Sequence, residues 1–131
     1  MYVTDTHPLV WYIDGDRSKI TDKVRRVFDQ TAKAATVVYV PAAVFWEIAI
    51  LEKIGRIKLK HRFDQWASGV LSIKGFELLP MTIDIIHLGI GYELHSDPFD
   101  DIIVATAVKM DLPLITRDLV ITESNLVEVC W

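Results

Sequence analysis

Apolar positions along this chain follow two spacings: short runs that fill consecutive positions, and longer stretches that repeat every three or four residues. Tyr2-Val3 opens as a brief buried strand ending at Asp5, and Pro8 starts a helix through Leu9, Val10, Trp11 and Tyr12. Gly15-Asp16 breaks that pattern. From Thr21 the positions Val24, Val27 and Phe28 predict an amphipathic helix to about Ala34, basic on its outer face. Thr36 to Val40 is β-branched and apolar on both faces, as an interior parallel strand requires, and Pro41 closes it. A helix carrying Val44, Glu47, Ile48 and Leu51 follows, with Gly55 as its stop. Trp66, Val70 and Ile73 predict another helix, ended by Gly75, and Phe76 to Pro80 a third strand. Thr82 to Tyr92 has helical spacing, weakened by Gly89 and Gly91. Ser96 to Ala107 reads as a helix entered through Asp97 as N-cap, with Pro98 at the first position and Asp100 at the third. Leu114 to Thr116 is a strand running into Arg117-Asp118, and Leu126 to Trp131 an alternating final strand.

Strands alternating with helices predict an α/β fold with a single, mainly parallel sheet covered on both faces. With 131 residues, 51% of them hydrophobic, the chain supports one domain with a real core over residues 1–131. The formal net charge of -4 provides no global positive field for nucleic acid, so such a substrate needs a local basic surface or bound cations. The single cysteine, Cys130, excludes an internal disulfide framework and reads as a small core residue. No signal-like start precedes Thr4, and the apolar run from Val37 to Trp46 falls short of the ~18 residues of a membrane span. A soluble cytoplasmic protein without a membrane partner is expected.

In an open parallel sheet, sites form at the carboxyl ends of the strands where the strand order reverses. Asp5 and Asp118 fall on that rim, and Glu47 and Asp100 sit early in helices whose N-termini face it. Four acids can therefore meet in one cleft. Packed carboxylates repel, so they bind protons, basic side chains or a metal, and oxygen ligands without a Cys/His quartet favour Mg²⁺ or Mn²⁺. Such a site suits phosphoryl chemistry: Asp5 and Asp100 as direct ligands, Glu47 as a ligand or the base orienting water, Asp118 holding a second ion or an outer water. Asp97 reads mainly as a cap supporting these residues.

At these residues the chain resembles the PIN-domain ribonucleases, in particular the VapC-type toxins of prokaryotic toxin–antitoxin pairs. Tyr2 to Trp11 (Y-V-T-D-T-H-P-L-V-W) is similar to the opening strand and first acid of that family, and Val40 to Ile50 (V-P-A-A-V-F-W-E-I-A-I) to the second acidic motif. Leu94 to Ala107 (L-H-S-D-P-F-D-D-I-I-V-A-T-A) is similar to the third, and Leu112 to Asp118 (L-P-L-I-T-R-D) to the fourth. The resemblance covers nearly the whole chain. It implies the PIN-like three-layer α/β/α sandwich and a metal-dependent endoribonuclease with Asp5, Glu47, Asp100 and Asp118 at the acidic positions. Thr116 is then a hydroxyl supporting the ligands, and a homodimer and a cognate antitoxin whose tail occupies the cleft are the implied partners. Two departures stand out: Asp101 occupies a position that is often basic in the subgroup, and Ala43-Val44 replaces a small hydroxyl residue often seen before the second acid.

Lys53 to Arg62 is the one strongly basic stretch. It suits both a grip on RNA phosphates, through Arg56, Lys58, Lys60 and Arg62 with Arg117 beside the acids, and a solvated helix end with Ile54, Ile57 and Leu59 packing inward. Trp11, Trp46 and Trp66 are expected in the core or a dimer interface, and His7 and His95 as loop histidines near the acids. Two rival readings share the acidic pocket. A receiver-like Mg²⁺-binding signalling module would need a lysine after its last strand, where this chain has Arg117-Asp118, and a catalytically silent PIN-fold binding partner would not need all four acids.

Overall fold

The computed structural model describes residues 1–94 and 97–131. His95, expected near the acids, and Ser96 lie outside the described residues. Five strands, β1 (Tyr2–Thr4), β2 (Val38–Pro41), β3 (Phe76–Leu79), β4 (Leu114–Ile115) and β5 (Val129–Cys130), form one sheet in the order β3-β2-β1-β4-β5. Every pairing is parallel, with Tyr2 opposite Val38 and Val3 opposite Leu114. Helices flank it: α1 (Thr6–Ile13), α2 (Asp22–Ala32), α3 (Ala42–Lys53), α4 (Phe63–Ser72), α5 (Ile83–Gly89), α6 (Pro98–Met110) and α7 (Leu119–Ser124). This is the expected α/β sandwich with a parallel central sheet.

Val3, Val38, Val40, Leu114 and Ile115 are fully buried in the sheet, and Leu9, Phe28, Ile48 and Ile103 close on them from the helices. Each such side chain contributes roughly 1.5–3 kcal/mol by leaving water. Phe28 stands 4.8 Å from Tyr12 and 5.9 Å from Phe76, ring centre to ring centre, tying α1 and α2 to β3. Gly75 is needed at this junction, because a Cβ there would lie 2.1 Å from the Thr31 carbonyl oxygen at the end of α2. Its role is close approach rather than the helix stop read from sequence, since α4 already ends at Ser72. Cys130 is buried, as expected.

The strand order decides where a site can form. The chain moves outward from β1 through β2 to β3, then returns to the other side of β1 as β4, so the order reverses between β1 and β4. The crevice at their carboxyl ends is the natural ligand position in such a sheet. This order also separates the molecule from receiver-like modules, whose sheets run 2-1-3-4-5.

Several local expectations shift. Helix α1 begins at Thr6 rather than Pro8, because Asp5 caps it and leaves Pro8 in the first turn, where a missing N–H costs nothing. The segment after Asp118 forms the short helix α7, which sequence spacing did not show, and the last strand shrinks to Val129–Cys130. Trp66 is core, at 3% exposure, whereas Trp46 stays 57% exposed and meets Phe99 edge-on at 5.0 Å. In the basic stretch Leu59 is buried, but Ile54 remains exposed. Among the described residues no helix is long and apolar enough to cross a membrane.

Candidate active site

Asp5 leaves β1 and turns directly into α1. One oxygen, Oδ1, accepts the Thr6 N–H at 2.6 Å as the helix cap, and Oδ2 accepts the Thr116 hydroxyl at 2.7 Å. Thr116 follows β4, is fully buried, and also receives the Asp118 N–H on its own oxygen at 3.1 Å. The ends of the two central strands are thereby laced together by one threonine. Burial pushes the Asp5 carboxyl above the ordinary range; the hydrogen bonds from Thr116 and Thr6 and the charge of His7 pull it back, and Asp118 adds to the rise.

Glu47 enters from the middle of α3 and is also buried. Its Oε2 accepts a short hydrogen bond from the Thr6 hydroxyl. Burial raises its pKa to about 7, against the Thr6 bond, with the charges of Asp5 and Asp97 adding to the rise. Thr6 is thus a two-sided connector that sequence reading missed: its backbone holds Asp5 and its side chain holds Glu47. The available signal was a hydroxyl directly after the first acid. At the departure before the second acid, Ala43 and Val44 are buried apolar packing.

Asp118 caps α7 through Oδ1, accepting the Ile121 N–H at 3.0 Å, and lines a cleft of about 420 Å³ with Asp5, His7, Trp11 and Arg117. Arg117 stacks its guanidinium over the Trp11 ring at 4.6 Å. Asp97 caps α6, accepting the Phe99 N–H at 2.9 Å, while its charge reaches Glu47. Asp100 stands half-buried in the first turn of α6. Asp101 accepts the Leu94 N–H at 3.2 Å and so fastens the chain before α6. Of the basic candidates, Arg62 is ion-paired with Asp64 at 3.3 Å, and Arg56, Lys58 and Lys60 line a neighbouring groove.

Among the described residues no three acidic, histidine or cysteine side chains enclose a ready-made ion site. The donor chemistry nonetheless fits a hard divalent cation: the charge of Asp118 raises the pKa of Asp5 and the charge of Asp5 raises that of Glu47, a repulsion that positive charge relieves, and every one of these donors is oxygen.

The fold matches solved structures over nearly its full length. These include a chain of VapBC2 from Rickettsia felis bound to a DNA fragment from its promoter, at 13% identity and TM-score 0.67, covering 98% of this chain and 96% of that one. FitAcB from Neisseria gonorrhoeae matches at 17% identity and TM-score 0.65, with 98% and 96% covered. A toxin-antitoxin complex from Klebsiella pneumoniae matches at 19% identity and TM-score 0.57, with 90% and 87% covered. No curated protein sequence matches. The PIN domain model matches residues 2–123, nearly the whole sequence, and the chain belongs to the PIN domain family.

Proposed function

We propose that residues 1–131 act as one Mg²⁺- or Mn²⁺-dependent endoribonuclease domain, the toxin of a type II toxin–antitoxin pair in the cytoplasm. PIN domains are generally nucleases, and members of the family generally use divalent ions. The observation that carries the reading is the buried pair Asp5 and Glu47, joined through Thr6 and Thr116 at the β1–β4 switch point. Burial raises the pKa of both carboxylates and the charge of Asp5 raises that of Glu47 further, a cost to the fold that the cap on α1 alone does not call for. The structural neighbours from Klebsiella, Rickettsia and Neisseria support an antitoxin partner, and a homodimer accompanies the same reading.

Asp5, Asp100, Glu47 and Asp118 are the residues that would hold the ion. When bound, the ion supplies an activated water and positive charge for the phosphodiester oxygens. The Thr116 hydroxyl fixes the Asp5 carboxylate in one orientation, so its position owes nothing to a flexible side chain. Glu47 would serve either as a ligand or as the base that orients and deprotonates the attacking water, its Oε2 held by Thr6 and its Oε1 left for that role. Arg117, anchored on Trp11 at the cleft wall, meets the phosphate of the scissile bond.

The test is incubation of antitoxin-free protein with structured and single-stranded RNAs in Mn²⁺, Mg²⁺ or EDTA, beside Asp5→Asn and Asp100→Asn. Cleavage that needs the divalent ion and disappears in both variants is expected. Intact RNA under every metal condition, from folded protein, overturns the proposal in favour of a silent binding partner.

A further inference from the structure

Beside the acidic cleft lies a second groove of about 500 Å³, and His7 and Trp11 line both. Its far wall is the irregular segment after α3. There burial alternates: Ile57 and Leu59 turn inward, while Arg56, Lys58 and Lys60 are exposed and line the groove. Lys19 joins them from the opposite wall. Two carboxylates, Asp14 and Asp16, also line it, but Asp16 is neutralised by Lys19 at 2.6 Å and Asp14 accepts the Trp66 indole N–H at 2.9 Å, its other oxygen buried. Among the described residues Arg56, Lys58 and Lys60 have no carboxylate within ion-pair distance, unlike Arg17, Lys19, Arg25, Arg62 and Lys109. Gly15, at φ +88, helps set this wall, because a Cβ there would lie 3.3 Å from the Lys60 ammonium nitrogen.

Three unpaired cations aimed into one groove of an acidic protein call for an anionic occupant. We propose that this groove is a backbone subsite that holds a single-stranded segment of RNA as it leaves the acidic cleft, Lys58 and Lys60 meeting its phosphates. The inference rests on the ribonuclease reading and names the substrate form. Continuity through Trp11 and His7, whose rings stand 5.5 Å apart between the two grooves, favours a nucleic-acid strand over an acidic peptide. Aromatic rings interleaved with cations grip unpaired bases and phosphates together, and a duplex keeps its bases out of reach of such rings.

The experiment measures binding of a labelled single-stranded RNA of about fifteen nucleotides to the full chain in EDTA, over a range of salt. The variants are Lys58→Ala/Lys60→Ala, the Lys→Arg pair at the same positions, and Lys33→Ala/Lys74→Ala as exposed controls. The first pair is expected to weaken binding by about tenfold or more and to flatten the salt dependence by about 1.4, some 0.7 for each lost single-strand phosphate contact. The arginine pair keeps most of the affinity, and the control pair changes it by less than about twofold. Unchanged affinity and slope in Lys58→Ala/Lys60→Ala overturns the subsite. So does equal loss with an RNA duplex, or a loss confined to a polyglutamate probe. Cleavage of the same RNA in Mn²⁺ separates the two readings. Metal-dependent cleavage with groove-independent binding removes the subsite alone; groove-dependent binding with no cleavage removes the nuclease reading alone.

Discussion

Helices α1 and α6 both begin on an aspartate cap, and the two caps live in opposite surroundings. Asp97 is exposed and accepts the Phe99 N–H. Asp5 is buried, uses both oxygens on protein donors, and is pushed above the ordinary carboxylate range. The helix fully accounts for Asp97, since a solvated cap contributes about 1 kcal/mol. It does not account for Asp5, because a cap needs neither burial nor the tether from Thr116. The lesson is that an acid at a helix start carries chemical information through its second oxygen and its surroundings, not through its position in the helix.

The sharpest way to break this comparison is to neutralise both caps. Asparagine caps a helix as well as aspartate does. Asp5→Asn is therefore expected to keep the fold, with a melting temperature equal to or above that of the parent, while RNA cleavage falls by more than about 100-fold, beyond the 10–100-fold typical of a residue that only supports a ligand. Asp97→Asn should retain cleavage within about threefold and stability within about 0.5 kcal/mol. Equal losses in the two variants would mean that the buried and exposed caps do the same work.

The next effect concerns the hydroxyls. Thr116→Val removes the donor to Asp5 while keeping the shape, and is expected to lower Mn²⁺ affinity by about 10–100-fold. Thr6→Val removes the donor to Glu47 and should raise the pKa of Glu47 further. Calorimetric titration with Mn²⁺ checks the first, and the pH profile of cleavage the second. Binding that survives both changes would show that the carboxylates hold their positions without the threonines.

The sequence exposed one side of this comparison better than the other. The positions of Asp5 and Asp118 were legible because strand ends are local patterns, and the strand order then brings both to one cleft, whereas Glu47 lies in the middle of α3 rather than near its start. The bond between Thr6 and Glu47 joins positions 41 residues apart, which no local pattern encodes. Helix α7 escaped notice because six residues with Leu119 exposed give no amphipathic period. Which face of α3 carries Trp46 was not legible, because α3 is apolar on nearly every side; its exposure rules out the core of one chain and leaves the dimer-interface expectation standing. The cause of Asp101 was equally hidden: its partner is a backbone N–H seven residues earlier.

Titration sharpens the comparison at smaller amplitude. The folded pKa of Glu47, about 7, lies above its ordinary 4.5, so folding favours the protonated form. The metal-free protein is then most stable below pH 4.5 as far as this group is concerned, and loses that contribution as pH rises towards about 7. Asp5 acts in the same direction. Solvent screening of this incompletely desolvated carboxyl keeps the loss to on the order of 1–2 kcal/mol. Melting curves without metal should fall across this window, flatten in Glu47→Gln, and recover with Mn²⁺, which takes the proton's place. A flat parent curve would remove the coupling between burial and charge.

The smallest expected effect tests whether acids near α6 belong with Asp97 or with Asp5. Asp101 accepts the Leu94 N–H and is half-buried, so its truncation leaves that donor without its partner. Asp101→Ala is expected to cost about 1 kcal/mol of stability, and Asp101→Asn, which keeps an acceptor oxygen, less than about 0.5 kcal/mol. Neither should change cleavage by more than about threefold, because the contact shapes the entry to α6 without touching Asp5 or Glu47. Chemical denaturation with activity measured on the same preparations decides it. A loss of cleavage without a loss of stability would move Asp101 from the scaffold into the site, and the division between solvated and buried acids would then have to be redrawn around α6.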